Sequence, residues 1–143
     1  MKFFNNTNIF TSIVAVGVFV ASITVNAGTL QIVVDGYDST HGSTLLNLFS
    51  SKSTYDANEA VTSGMATPIE GRATITLKGL PDGLYAIKLF HDENGNEKLD
   101  TNLLGIPKEQ YGFSNNGGSF GPASFSDAKF EIKGDTQIKI TLR

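Results

Sequence analysis

Apolar and polar residues alternate with a period of two along most of this chain beyond its first 27 residues, the spacing of half-buried strands rather than helices. Leu30, Ile32 and Val34 alternate with Thr29, Gln31 and Val33 until Asp35-Gly36 breaks the run. Thr44 to Ser50 predicts a second strand, with Leu46 and Leu48 on one face. Ala73, Ile75 and Leu77 alternate with Arg72, Thr74, Thr76 and Lys78. Leu80-Pro81-Asp82-Gly83 is a turn by composition, because proline presets φ and Asp-Gly tolerates positive φ. Tyr85, Ile87 and Leu89 then share a face opposite Ala86, Lys88 and Phe90. Ala128, Phe130 and Ile132 precede a Gly134-Asp135 turn, and Ile138, Ile140 and Leu142 follow it, which predicts a terminal hairpin. Asp56 to Val61 is the place for a short helical turn, and Met65 to Glu70 for a further strand.

About seven short strands with polar turns and no long helix predict an all-β fold, a single antiparallel β-sandwich of Ig-like or transthyretin-like shape. One connection, about residues 92–124, shows no strand periodicity before a strand expected near Phe125. Connections longer than about 12–15 residues are uncommon in compact domains and tend to be functional or disordered. This one contains Leu99, Leu103, Leu104, Ile106, Tyr111, Phe113 and Phe120, so it is expected to be ordered by packing on the sandwich.

Residues 1–27 have the composition of a cleaved signal peptide rather than of the fold. Lys2 precedes an apolar run from Ile9 to Val25, and Val25-Asn26-Ala27 offers the small residues of a cleavage site between Ala27 and Gly28. No basic stop-transfer cluster follows, so no membrane anchor is expected after cleavage, and the expected location is periplasmic or secreted. Removing 27 of 143 residues leaves 116, residues 28–143, enough for one β-sandwich domain. That chain keeps 10 basic and 14 acidic residues without a basic stripe, which argues against nucleic acid as the main partner. Cysteine is absent, which excludes disulfides, thiol nucleophiles and thiolate zinc sites.

The densest coordinating oxygen lies in residues 91–100, His-Asp-Glu-Asn-Gly-Asn-Glu-Lys-Leu-Asp. Asp92, Asn94, Asn96 and Asp100 occupy positions 1, 3, 5 and 9 of a loop, with the Lys98 carbonyl at position 7. Calcium loops use this spacing to fold oxygens around a hard cation, which takes about six to eight of them. Position 6 is Glu97 where such loops have glycine, and position 12 is Leu103 where they have glutamate; Glu109 is placed to supply the missing carboxylate. The competing reading is a solvated turn, since Asn94-Gly95 is a type I′ signal and Asp and Asn side chains bond their own backbone.

His91 flanked by Asp92 invites a catalytic reading, yet the only other histidine is His41 in a distant turn. A strand-end histidine bonding loop carbonyls is the plainer outcome. No Gly-x-Ser-x-Gly elbow or phosphate-cradling glycine loop is present. Tyr111, Phe113, Asn115 and Phe120 form either an exposed platform for a glycan or protein ligand, or a cover over the open end of the core.

The motifs Leu80-Pro81-Asp82-Gly83-Leu84-Tyr85-Ala86, His91-Asp92-Glu93-Asn94-Gly95-Asn96 and Lys98-Leu99-Asp100-Thr101-Asn102 occur in order. They are followed by Gly105-Ile106-Pro107-Lys108-Glu109-Gln110-Tyr111-Gly112-Phe113-Ser114 and Ser124-Phe125-Ser126-Asp127-Ala128-Lys129-Phe130. Together they resemble a bacterial family known as domain of unknown function 2141. The resemblance implies an exported, single-domain β-protein and no particular reaction. The expected function is a non-enzymatic binding or structural module with a Ca2+-stabilised loop. The alternative is a small extracytoplasmic hydrolase using His91 with Asp92, Glu93 or Glu109.

Overall fold

The computed structural model describes residues 27–143; the predicted signal segment therefore lies outside the described residues, apart from Ala27. In chain order the elements are β1 (Ala27–Asp35), β2 (Ser43–Phe49), α1 (Lys52–Ala57), β3 (Thr62–Ala66), β4 (Ala73–Pro81) and β5 (Gly83–Asp92). They continue with β6 (Tyr111–Phe113), a 3-10 turn (Ser114–Asn116), α2 (Phe125–Ala128), β7 (Phe130–Ile132) and β8 (Thr136–Thr141). The described residues are mostly β, with two sheets and no barrel among them. The smaller sheet has the order β4-β1-β8 and the larger the order β3-β2-β5-β6, with β7 also paired to β5.

The period-two pattern sends alternate residues of each sheet into a common core. Leu30, Ile32 and Ile75 of the smaller sheet join Leu46, Ile87 and Leu89 of the larger in one buried cluster. Each such side chain contributes roughly 1.5–3 kcal/mol on leaving water. A second cluster covers the opposite, outer face of the larger sheet, where Phe49, Ala86 and Phe113 meet Tyr55 of α1 and Ala128 of α2. Both helices begin at capping boxes, Ser51 with Thr54 and Ser124 with Asp127, which satisfy amides that a short helix leaves free. The Tyr55 hydroxyl donates to the Ala123 carbonyl at 2.9 Å and fastens α1 to the segment before α2. Burial pushes that phenol up to about 12.

Several expectations are corrected. Among the described residues there are eight strands, and the sheets are not wholly antiparallel, because β8 runs parallel to β1. The terminal hairpin does not form: β7 pairs with β5 and β8 with β1, so the Gly134-Asp135 turn carries the chain from one sheet to the other. Two side chains hold that crossing, since the Gly134 amide donates to Asp82 Oδ1 at 2.8 Å and the Thr29 amide to Asp135 Oδ1 at 2.9 Å. The helical turn sits earlier than Asp56–Val61 because Ser51 caps its start and left-handed Asn58 ends it. The strand expected at Met65–Glu70 is Thr62–Ala66, and the segment at Phe125 is α2, not a strand. The long connection contains β6, too short at three residues to show a period.

Candidate functional site

The geometry of the site starts from the alternation of β5. Tyr85, Ile87, Leu89 and His91 face the core, whereas Ala86, Lys88, Phe90 and Asp92 face outward. Ala86 lies under the helices, Lys88 and Phe90 form an open floor, and Asp92 anchors the loop that follows. Although it is on the outer face, Asp92 is only 2% exposed. Its Oδ1 accepts from the amides of Gly95 at 2.8 Å and Asn96 at 3.2 Å, and its Oδ2 from Glu97 at 2.7 Å. Burial alone would raise this carboxyl, but the amide donors outweigh it and hold the group below the usual range. These bonds fold the loop back over the outer face. Gly42 permits this packing: its φ is +84, and a Cβ there would meet the Asp92 carbonyl oxygen at 2.0 Å.

Beyond Asp92 the loop closes on Asp100. Asn94 Nδ2 donates to Asp100 Oδ2 at 2.5 Å, and Asn96 Nδ2 donates to the same oxygen at 3.1 Å. The two Oδ1 atoms accept from the amides of Asn96 at 3.0 Å and Lys98 at 2.9 Å. Glu109 fastens both ends, accepting from the Glu93 amide at 3.2 Å and the Asp100 amide at 3.0 Å. Glu97, at position 6, is left-handed with φ 59, so the backbone makes there the turn for which calcium loops use glycine. Asn94 is not left-handed, so Asn94-Gly95 is not the type I′ turn that its composition suggests.

Asn94 and Asn96 thus meet at Asp100 with amide nitrogens, not oxygens, turned to its carboxylate, while the Asp92 oxygens accept from backbone amides. Among the described residues no three acidic or histidine side chains stand together as a ligand set. The fit therefore depends on the two asparagines. Half a turn about the last bond of each amide brings Oδ1 toward Asp100 in place of Nδ2, at the cost of two local bonds to backbone amides.

Between this loop and α1 the outer face is an open cleft of about 710 Å³. Strand register lays its floor in two rows. Met65, Leu45, Phe90 and Tyr111 stand directly opposite one another across β3, β2, β5 and β6. Beside them run Ser63, Asn47, Lys88 and Phe113 in the same order. Glu97, Lys98 and Leu99 wall the apolar row, and Tyr55, Asp56 and Asn58 wall the other. An adjoining depression of about 460 Å³ extends the floor to Ser63 and Met65. Lys88 Nζ donates to the Tyr55 carbonyl at 2.8 Å and Asn58 Oδ1 at 3.3 Å, 4.1 Å from the centre of the Tyr55 ring. Burial lowers its pKa, against a smaller opposing pull from Asp56.

Of the aromatic set, Tyr111 and Phe113 line the cleft. Asn115 instead donates to the Lys129 carbonyl at 2.6 Å, and Phe120 is fully exposed away from the cleft. Leu103, Leu104 and Ile106 do not pack on the sheets as expected; Asn102 Oδ1 accepts from the amides of Leu104 and Ile106 and turns those side chains into solvent. His91 is wholly buried on the core side, edge-on to Tyr37, and neither ring nitrogen has a hydrogen-bond partner. Glu93 is 3.8 Å from its Nδ1, and Asp92 projects from the opposite face. It is the His91 backbone amide, not the ring, that bonds a loop carbonyl, that of Gln110 at 2.8 Å.

Lys88, Leu45, Asn47 and Met65 escape notice in the sequence. Their signal is the apolar residue on the non-core face of both central strands, Leu45 and Phe90, which an ordinary half-buried strand would make polar.

A two-sheet β protein carrying a walled cleft on one outer sheet face is a scaffold class that hosts many functions. Residues 32–140 match the family described as "Uncharacterized protein conserved in bacteria (DUF2141)". The chain belongs to that family. No curated protein and no solved structure matches it.

Proposed function

We infer that this chain is an exported, non-catalytic binding module, an Ig-like or transthyretin-like sandwich whose cleft is walled by a loop that Ca2+ stabilises. The observation that carries this reading is the meeting of Asn94 and Asn96 at Asp100 in a loop that Asp92 anchors beside the cleft, with Glu97 taking the left-handed turn at position 6. Asp92, Asn94, Asn96, Asp100 and the Lys98 carbonyl would hold the ion, with Glu109 as a further carboxylate. The ion supplies positive charge that offsets the acidic loop. The loop's own residues do the remaining work: Asp92 fixes the start over the outer face, and Glu109 ties Glu93 to Asp100. Binding rather than catalysis is favoured because His91 faces the core while the cleft opens on the other side of β5. With two or three formal carboxylates the affinity belongs near the ~10⁻⁴–10⁻³ M of extracellular modules.

The test compares thermal unfolding in millimolar Ca2+ and in EDTA. The wild type is expected to melt higher with Ca2+, and Asp100→Ala to melt alike in both. Equal melting of the wild type in the two buffers would overturn the reading.

A further inference from the structure

We propose that the outer-face cleft binds a free amphiphilic monocarboxylate, its apolar body along Met65, Leu45, Phe90 and Tyr111 and its carboxylate at Lys88. This rests on the reading of the chain as a binding module and adds the ligand class. The first argument is charge. Lys88 is a half-buried cation whose ammonium bonds only neutral oxygens, and among the described residues no carboxylate lies within ion-pair distance of it. The nearby Asp56 is committed to Lys52. A desolvated ammonium without a counter-ion gains most from an anion brought by the ligand.

The second argument is how much charge the cleft tolerates. Besides Lys88 its walls carry Asp56, Glu97 and Lys98, two negative groups and one positive. Because Asp56 is paired with Lys52, Lys88 and Lys98 stand against Glu97 alone, a surplus that one carboxylate matches and a second anionic group would exceed. That disfavours polyanions such as nucleic acid or polyphosphate.

Shape and polarity supply the third. The apolar row crosses three strand spacings of about 4.8 Å, so it offers roughly 14 Å of continuous apolar floor. The Tyr111 hydroxyl is its only side-chain polar group, with Leu99 closing the loop side. A neutral sugar needs donors and acceptors along its whole length, and this row lacks them. The volume of about 710 Å³ is that of a small-molecule site.

The experiment titrates the purified protein with decanoate, kept below its micelle concentration, and with decanol, by calorimetry and by methyl chemical shifts. Saturable one-to-one binding of decanoate is expected, at least about tenfold tighter than decanol. Lys88→Met should remove that difference while leaving decanol binding unchanged. In the wild type the shifted methyls should be those of Met65, Leu45 and Leu99. Equal affinity for acid and alcohol, shifts confined elsewhere, or binding of a neutral oligosaccharide or an unstructured peptide at this face in preference to decanoate would overturn the proposal. Each titration is run in Ca2+ and in EDTA. Lys88-dependent decanoate binding that ignores Ca2+ defeats the loop reading alone; failure to bind in either buffer defeats this one alone.

Discussion

At the scale of single residues, Asp92 does more than its place in an oxygen-rich motif announces. Three amides converge on its buried carboxylate, and removing the acceptor leaves them to find others. Asp92→Ala should therefore lose about 1–3 kcal/mol in chemical denaturation whether or not Ca2+ is present; a loss seen only in Ca2+ would contradict this. For the same reason Asp100, whose side chain meets only two asparagine amides, is the cleaner probe of an ion. Leu103 makes the opposite point. It is an apolar residue of the long connection, yet Asn102 turns it into solvent, so Leu103→Ser should change stability by no more than about 0.5 kcal/mol. The motif spacing at Asp92 was legible because the side chain acts on neighbours a few residues away. The exposure of Leu103 was not, because composition reports how much apolar surface a segment has and not where its turns aim it.

Between elements, the strands with strict alternation were readable: Leu30, Ile32 and Val34 are buried as their period requires. Pairing was not. Ile138 and Ile140 alternate as well in a parallel partner of β1 as they would in a hairpin, and only the Asp82 and Asp135 contacts to distant amides decide between the two. The β1–β8 pair is further tied by Asp35, which accepts from Lys139 at 2.6 Å and Thr141 at 2.8 Å. The Lys139 bond, then that of Thr141, lowers the Asp35 carboxyl below its ordinary 3.8. A depressed folded value means the stabilisation is present above pH 3.8 and is lost as pH falls through the lower folded value. The stability gap between wild type and Asp35→Asn should shrink on acidification through that window, and a gap that widens would contradict it. On β3, Gly64 lies directly against the facing sheet, since a Cβ there would stand 2.6 Å from Ile75 Cγ2. Gly64→Ala should cost about 1–3 kcal/mol in denaturant.

For the molecule as a whole, two sheets share one core, and helices α1 and α2 cover only part of the larger sheet's outer face. What they leave open, the loop after β5 walls. The sequence revealed the β class, the scaffold strands and the oxygen-rich loop. It concealed the cleft, because Leu45, Phe90 and Lys88 come together through register between strands distant in the chain. The link between the two is the proposed ion, which would stiffen the wall and so the site. Amide hydrogen exchange across residues 93–101, with and without millimolar Ca2+, tests this most directly. Protection of the Gly95, Asn96, Glu97 and Asp100 amides should rise in Ca2+ and fall back on chelation, with the β-strands unchanged. Exchange at those four amides that is indifferent to Ca2+ would contradict the account.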